Sequence, residues 1–177
     1  DTGEIIAQKD VEISETMNAG DLHDNLMHTG AKLIMQTVDS IINGSIKTMP
    51  QSTFFKSNEP LKHAPKIFKD DCLVNWNASG KSIYNLIRGL SPYPAAWSNL
   101  KTSEESNATT FKIYAASFES AINTIPGTIL SDNKTYLKIA CADGWISIDT
   151  IQIAGKKRMP IADLLRGFKI DESFSAQ

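Results

Sequence analysis

The sequence predicts an α+β chain in two parts, and three observations carry that reading. Residues 5–42 run from a β-rich stretch straight into a long helical period. Residues 45–62 lose all periodicity and contain Pro50 and Pro60. Residues 95–153 alternate short apolar-patterned runs with turn residues. At 177 residues, 41% of them hydrophobic, the chain can bury the core of one ordinary domain or of a small domain plus part of another. It contains no run near the roughly 20 apolar residues of a membrane span and no basic-then-apolar leader, so a soluble cytoplasmic protein is expected.

In the first part, Ile5–Ile13 reads as a strand. Thr16, Asn18 and Asp21 are possible caps for the helix that follows. Leu22, Leu26, Leu33, Val38 and Ile41 recur at helical spacing, Ile34 and Ile42 widen the stripe, and Gly44 supplies a left-handed stop. A strand with a covering helix is the tail of an α/β sheet. This part is acidic: residues 1–44 carry a net charge of −6 against −2 for the whole chain, which leaves +4 for the remainder. Beginning at Asp1 rather than Met, the chain is expected to start inside a larger fold.

In the second part, Asn77 or Ser79 can cap a short helix whose Ile83, Leu86, Ile87 and Leu90 make one apolar stripe, closed by Gly89 and Pro92. Five strands are expected at 95–100, 109–118, 127–130, 135–141 and 145–153. Phe111, Ile113 and Ala115, and again Leu137, Ile139 and Cys141, alternate with polar positions, so each strand has one core face. In the last strand the apolar phase moves from Ile146 and Ile148 to Ile151 and Ile153, which a bulge near Asp149 and Thr150 would produce. Pro160 then opens a closing helix with Ile161, Leu164, Leu165 and Phe168 as its stripe. Five antiparallel strands with capping helices resemble the oligonucleotide-binding barrel, which often carries RNA.

Several chemistries are excluded. Ala78-Ser79-Gly80-Lys81-Ser82 ends like a phosphate loop, but Asn75 stands where the loop's first glycine is needed. His23 and His28 are five residues apart, too far round a helix to share a metal, and no metal is expected. Cys72 and Cys141 lack metal or redox spacing and read as reduced packing residues. Two basic clusters remain. One holds Lys47, Lys56, Lys62, Lys66 and Lys69; the other holds Lys156, Lys157, Arg158, Arg166 and Lys169. Either could make salt-sensitive phosphate contacts or simply form a solvated face. Asp1-Thr2-Gly3 before a strand could hold a carboxylate at the lip of a sheet, although a turn aspartate bonding its own backbone has the same pattern.

Taken in order, the blocks DTGEII, Gly30-Ala31, Ala64-Pro65-Lys66-Ile67, Trp76 to Ser79, Ile87-Arg88-Gly89-Leu90-Ser91-Pro92-Tyr93-Pro94 with Trp97, Pro126-Gly127-Thr128-Ile129, and Ala154-Gly155-Lys156-Lys157-Arg158-Met159 resemble the C-terminal part of the methionyl-tRNA formyltransferases across essentially the whole chain. The resemblance implies formyl transfer from 10-formyltetrahydrofolate to the α-amino group of methionyl initiator tRNA. It divides the chain into 1–44, the remnant of a Rossmann-like catalytic domain; 45–62, a basic linker; and 63–177, an oligonucleotide-binding-like barrel that holds tRNA.

The resemblance implies that Asp1 takes the family's catalytic carboxylate position and that Asp1, Thr2 and Gly3 bind the folate. The family's catalytic asparagine and histidine would lie before residue 1, so the fragment alone is expected to be inactive. For tRNA the candidates are Lys66, Lys69, Arg88, Lys156, Lys157 and Arg158, and a monomer without an obligate protein partner is implied. Sibling formyltransferases acting on amino-sugar nucleotides, folate hydrolase domains and a non-catalytic RNA-binding module are the alternatives. The chain departs from the family pattern at Asn75, where many relatives carry aspartate, and at Ala95, where glycine is common. The second change is expected to be a small steric one.

Overall fold

The computed structural model describes residues 3–54, 63–102, 108–123, 125–171 and 174–177. They fall into two compact units, residues 1–17 with 21–66, and residues 18–20 with 67–177. Asp1, Thr2, Lys56 and Lys62 lie outside the described residues.

The first unit is dominated by helix α1 (Ala19–Ile42). It ends as its glycine foretells: Gly44 has φ +65°, its N–H donates to the Ile41 carbonyl at 3.1 Å, and the Ser45 N–H donates to the Ser40 carbonyl at 3.0 Å. Those two bonds form a Schellman closure that satisfies carbonyls the helix would otherwise leave bare. None of its residues is buried. The expected strand over Ile5–Ile13 is absent. Only Ile5 pairs, exchanging two 2.9 Å backbone bonds with Met49, because a strand exists only with a partner and residues 6–13 have no ladder among the described residues. Pro50 leads into a 3-10 turn, Gln51–Phe54.

In the second unit a 3-10 turn, Asp70–Cys72, precedes helix α2 (Gly80–Leu90). The Ser79 hydroxyl accepts from the Ser82 N–H at 3.3 Å, the expected N-cap, and Ile83, Ile87 and Leu90 are buried on the expected stripe. Gly89 does not end the helix; it lies inside, and the backbone turns at Ser91, which precedes proline. Gly80 has no room for a side chain, because a Cβ there would enter the Phe118 ring.

Among the described residues the sheet has seven strands rather than five: β1 (Ala96–Thr102), β2 (Thr109–Ser120), β3 (Ile129–Ser131), β4 (Leu137–Cys141), β5 (Gly144–Ile153), β6 (Met159–Pro160) and β7 (Phe174–Ala176). All pairings are antiparallel, in the order β3-β4-β5-β2-β1-β7, with β6 added to β5. Thr128, just before β3, bridges Ser175 of β7, so the two ends of the sheet meet in a nearly closed barrel. Gly127 permits this with φ +84°, accepting from the Ala176 N–H at 2.9 Å.

Phe111, Ile113, Leu137, Ile139, Ile146, Ile148 and Ile151 are at most 1% exposed and fill the interior with α2 and Leu165, each contributing about 1.5–3 kcal/mol. The phase switch in β5 is real. Tyr114 is an extra residue on β2 and Asp149 an extra residue on β5, so two opposed bulges restore the register on either side.

After β6 comes a short helix, α3 (Ile161–Leu165), which buries Ile161, Leu164 and Leu165. Phe168 falls beyond it and meets Phe174 edge-on at 6.1 Å, because the helix is only five residues long and the chain must turn back to supply β7. Asn133, at φ +58°, guides that return: its amide donates to the Ile170 carbonyl at 2.7 Å and accepts from the Ile170 N–H at 2.8 Å.

Candidate functional site

Burial fixes which side chains each strand turns outward. Ala96, Ser98 and Leu100 of β1, Phe111 and Ile113 of β2, and Ile151 and Ile153 of β5 are buried. Trp97, Lys112, Tyr114 and Gln152 therefore emerge on the outer face, and the register sets Trp97 beside Lys112 and Lys112 beside Gln152. A row of side chains crosses three strands. Lys69 extends it at one end: its ammonium lies 5.2 Å from the Trp97 ring centre, while its carbonyl accepts from the indole N–H at 2.8 Å.

At the other end the Arg158 guanidinium lies 4.4 Å from the Tyr114 ring centre. The Tyr114 hydroxyl donates to Gln152 Oε1 at 2.7 Å, and Gln152 Nε2 donates to the Lys156 carbonyl at 2.9 Å. A turn at Ala154-Gly155, with Gly155 at φ +78° and the Lys156 N–H donating to the Ile153 carbonyl at 2.9 Å, presents Lys156, Lys157 and Arg158 in an exposed group.

Lys69 and Arg158 thus stand at the two ends of this row, while the Lys156 ammonium lies 6.0 Å from the Phe168 ring centre. Arg88 instead sits on α2, where its Nε donates to Asn85 at 2.9 Å. Lys66 is exposed and counts with the first unit. Arg166 pairs with Asp163 at 3.1 Å, and Lys169 donates to the Asn133 carbonyl at 3.3 Å, so both have local roles. Lys112, Tyr114 and Gln152 were missed by reading charge clusters alone. The alternation in β2 held the signal, since burying Phe111 and Ile113 forces Lys112 and Tyr114 outward.

The N-terminal segment is fastened within its own unit. The Gly3 carbonyl accepts from Gln51 Nε2 at 2.7 Å, and the Thr48 hydroxyl donates to the Glu4 carboxylate. The phosphate-loop reading fails structurally too, because the Gly80 N–H that would meet a phosphate donates to Asp143 Oδ1 at 2.6 Å. Burial pushes the thiols of Cys72 and Cys141 upward, so both are packing groups rather than nucleophiles. Among the described residues, no three His, Cys, Asp or Glu side chains converge to hold a metal ion, and no helix is long and apolar enough to cross a membrane.

Residues 66–169 match the family model for the formyl transferase C-terminal domain. The chain belongs to this family. Among curated relatives, the methionyl-tRNA formyltransferase of Phocaeicola vulgatus is 46% identical over 98% of the chain and 53% of that protein. The enzyme of the same name from Parabacteroides distasonis is 45% identical over 96% and 52%. The chain spans about half the length of the curated relatives it matches. Among solved structures, HypX from Aquifex aeolicus shares the fold at TM-score 0.65 and 18% identity, covering 97% of this chain and 29% of that one. The Gly127 and Gly155 blocks have a structural basis here, in the barrel seam and in the turn that displays Lys156 to Arg158. Ala95 corrects the expectation of a merely steric change: it is buried with φ +70°, a backbone state that suits glycine and strains alanine.

Proposed function

We propose that this formyl transferase chain is the tRNA-holding half of a cytoplasmic methionyl-tRNA formyltransferase, with a barrel of the oligonucleotide-binding type over 63–177, a basic connector over 45–62, and the end of a Rossmann-like catalytic domain over 1–44. The observation that carries this reading is the outward row from Lys69 and Trp97 through Lys112 to Tyr114 and Arg158, cations set against aromatic faces. Its lysines would neutralise tRNA phosphates without reading sequence, placing the acceptor end rather than selecting it.

The formyl group would come from 10-formyltetrahydrofolate; one solved HypX structure is in complex with tetrahydrofolic acid. Asp1 is assigned the carboxylate that orients a histidine supplied by the rest of the enzyme and favours its protonated form, beside the folate with Thr2 and Gly3. Initiator tRNA bearing methionine is the acceptor.

Two variants of the full-length enzyme test the assignment. Asp1→Asn abolishes turnover while tRNA affinity is retained. Lys156→Glu with Lys157→Glu weakens tRNA binding and lowers its salt dependence, by about one unit of slope for each phosphate no longer neutralised. Unchanged affinity across salt concentrations removes that cluster from the interface. The 177-residue chain alone gives no formylation.

A further inference from the structure

Beside Trp97 the outer face opens into a cavity of about 300 Å³, lined by Phe68, Lys69, Tyr93, Trp97 and Lys112 and floored by buried Cys72. Phe68 is 62% exposed and Tyr93 85% exposed. Large rings left in water around one cleft mark a surface built for a flat apolar partner. The Trp97 ring is held by its bond to the Lys69 carbonyl. Lys112 spends one of its three donors on the Pro94 carbonyl, at 3.1 Å, which fixes its ammonium at the rim. The cleft thus combines π faces with two cations, the complement of a base joined to a phosphate.

Resting on the tRNA-holding reading, we propose that this cleft takes one unpaired nucleotide from a loop of the tRNA. Its base stacks against Phe68, Tyr93 or Trp97, and its phosphate meets Lys69 or Lys112. A loop nucleotide is the occupant because the aminoacylated 3′ end must reach the formyl donor.

The test uses the full-length enzyme carrying Phe68→Ala and Tyr93→Ala, two exposed positions, alongside Lys156→Glu with Lys157→Glu. Losing the stacked base is worth about 1–3 kcal/mol, so the aromatic variant binds tRNA roughly 5- to 150-fold more weakly with an unchanged salt slope. A loop-free RNA duplex binds it as it binds the unmodified enzyme. If the aromatic variant keeps full tRNA affinity while the lysine variant loses it, the cleft is not a nucleotide site and the tRNA-holding reading stands. If neither variant changes tRNA affinity, the tRNA-holding reading falls and the cleft proposal with it. A second measurement needs no variant: ultraviolet cross-linking of unmodified enzyme to tRNA labels the tryptic peptide Gly89–Lys101, which carries Tyr93 and Trp97. Cross-links confined to peptides other than Gly89–Lys101 and Ile67–Lys69, which carries Phe68, overturn the proposal.

Discussion

Replacing Gly127 by alanine tests whether the seam between Thr128 and β7 closes the barrel. At φ +84° an L-residue costs about 1–2 kcal/mol. A Cβ would also stand 2.6 Å from the Ala176 carbonyl oxygen, which is backbone and cannot rotate away. Relieving that clash shifts β7 and endangers the 2.9 Å bond from the Ala176 N–H to the Gly127 carbonyl, worth about 1 kcal/mol net. The stiffer unfolded chain returns about 0.4–1 kcal/mol.

The expected loss is about 1–2.6 kcal/mol. Gly155→Ala is the matched control: its φ is +78°, but nothing lies within 4 Å of the new methyl, so it carries the backbone cost without the clash. Urea unfolding followed by tryptophan fluorescence measures both, since Trp76, Trp97 and Trp145 all lie in the second unit. A Gly127→Ala loss no larger than that of Gly155→Ala refutes the closure argument.

Other expectations follow from the same geometry. Removing residues 172–177 deletes the Ala176 bond to Gly127, both backbone bonds between Asn99 and Gln177 and the Ser98 hydroxyl bond to the Gln177 carbonyl; about 4 kcal/mol is lost and the opened interior binds a hydrophobic dye. Cys72 and Cys141 react slowly with a disulfide reagent at pH 8 in the native protein and at ordinary thiol rates in urea; equal rates in both states would contradict their burial. Asp132 accepts from the N–H groups of Lys134, Thr135 and Tyr136 and from the Thr135 hydroxyl, which hold its carboxyl well below the usual range. The ionised form therefore favours the fold, a contribution present above about pH 3.9 and lost as acid protonates the group. In Asp132→Ala the decline of stability below that pH becomes shallower, and an unchanged acid limb counts against the turn's role.

What the sequence made legible were the features written in periodicity. The α2 stripe and its Ser79 cap, the alternation of β2 and β4, and the phase slip at Asp149 all appear because an apolar core imposes a repeat of two or of 3.6 on residues that face it. β6 and β7 are two and three residues long, too short to show a period, and are defined only by their distant partners. Ile5–Ile13 fails for the opposite reason: β-rich composition says what could pair, and among the described residues only Met49 is there to pair with Ile5.

Of the candidate site, the Lys156 to Arg158 group could be read from charge. Lys112 could not, since a lone lysine between apolar neighbours acquires its place only when Trp97 and Gln152 arrive from 15 residues before and 40 residues after. Ala95 illustrates a further limit, because composition cannot reveal that a position needs positive φ.

The order of the strands has a consequence during synthesis. β1 and β3 emerge from the ribosome long before Phe174–Ala176, yet that segment pairs with β1 and seals against Thr128. Until it arrives, the nascent sheet presents two bare edges, one along β1 and one along β3, each able to recruit a foreign strand. Asn133 lies at the tip of the β3–β4 hairpin and grips Ile170, so the returning chain is docked beside the gap before its last strand is laid. That grip shortens the search for the final pairing and limits the time during which the open edges are exposed to other chains.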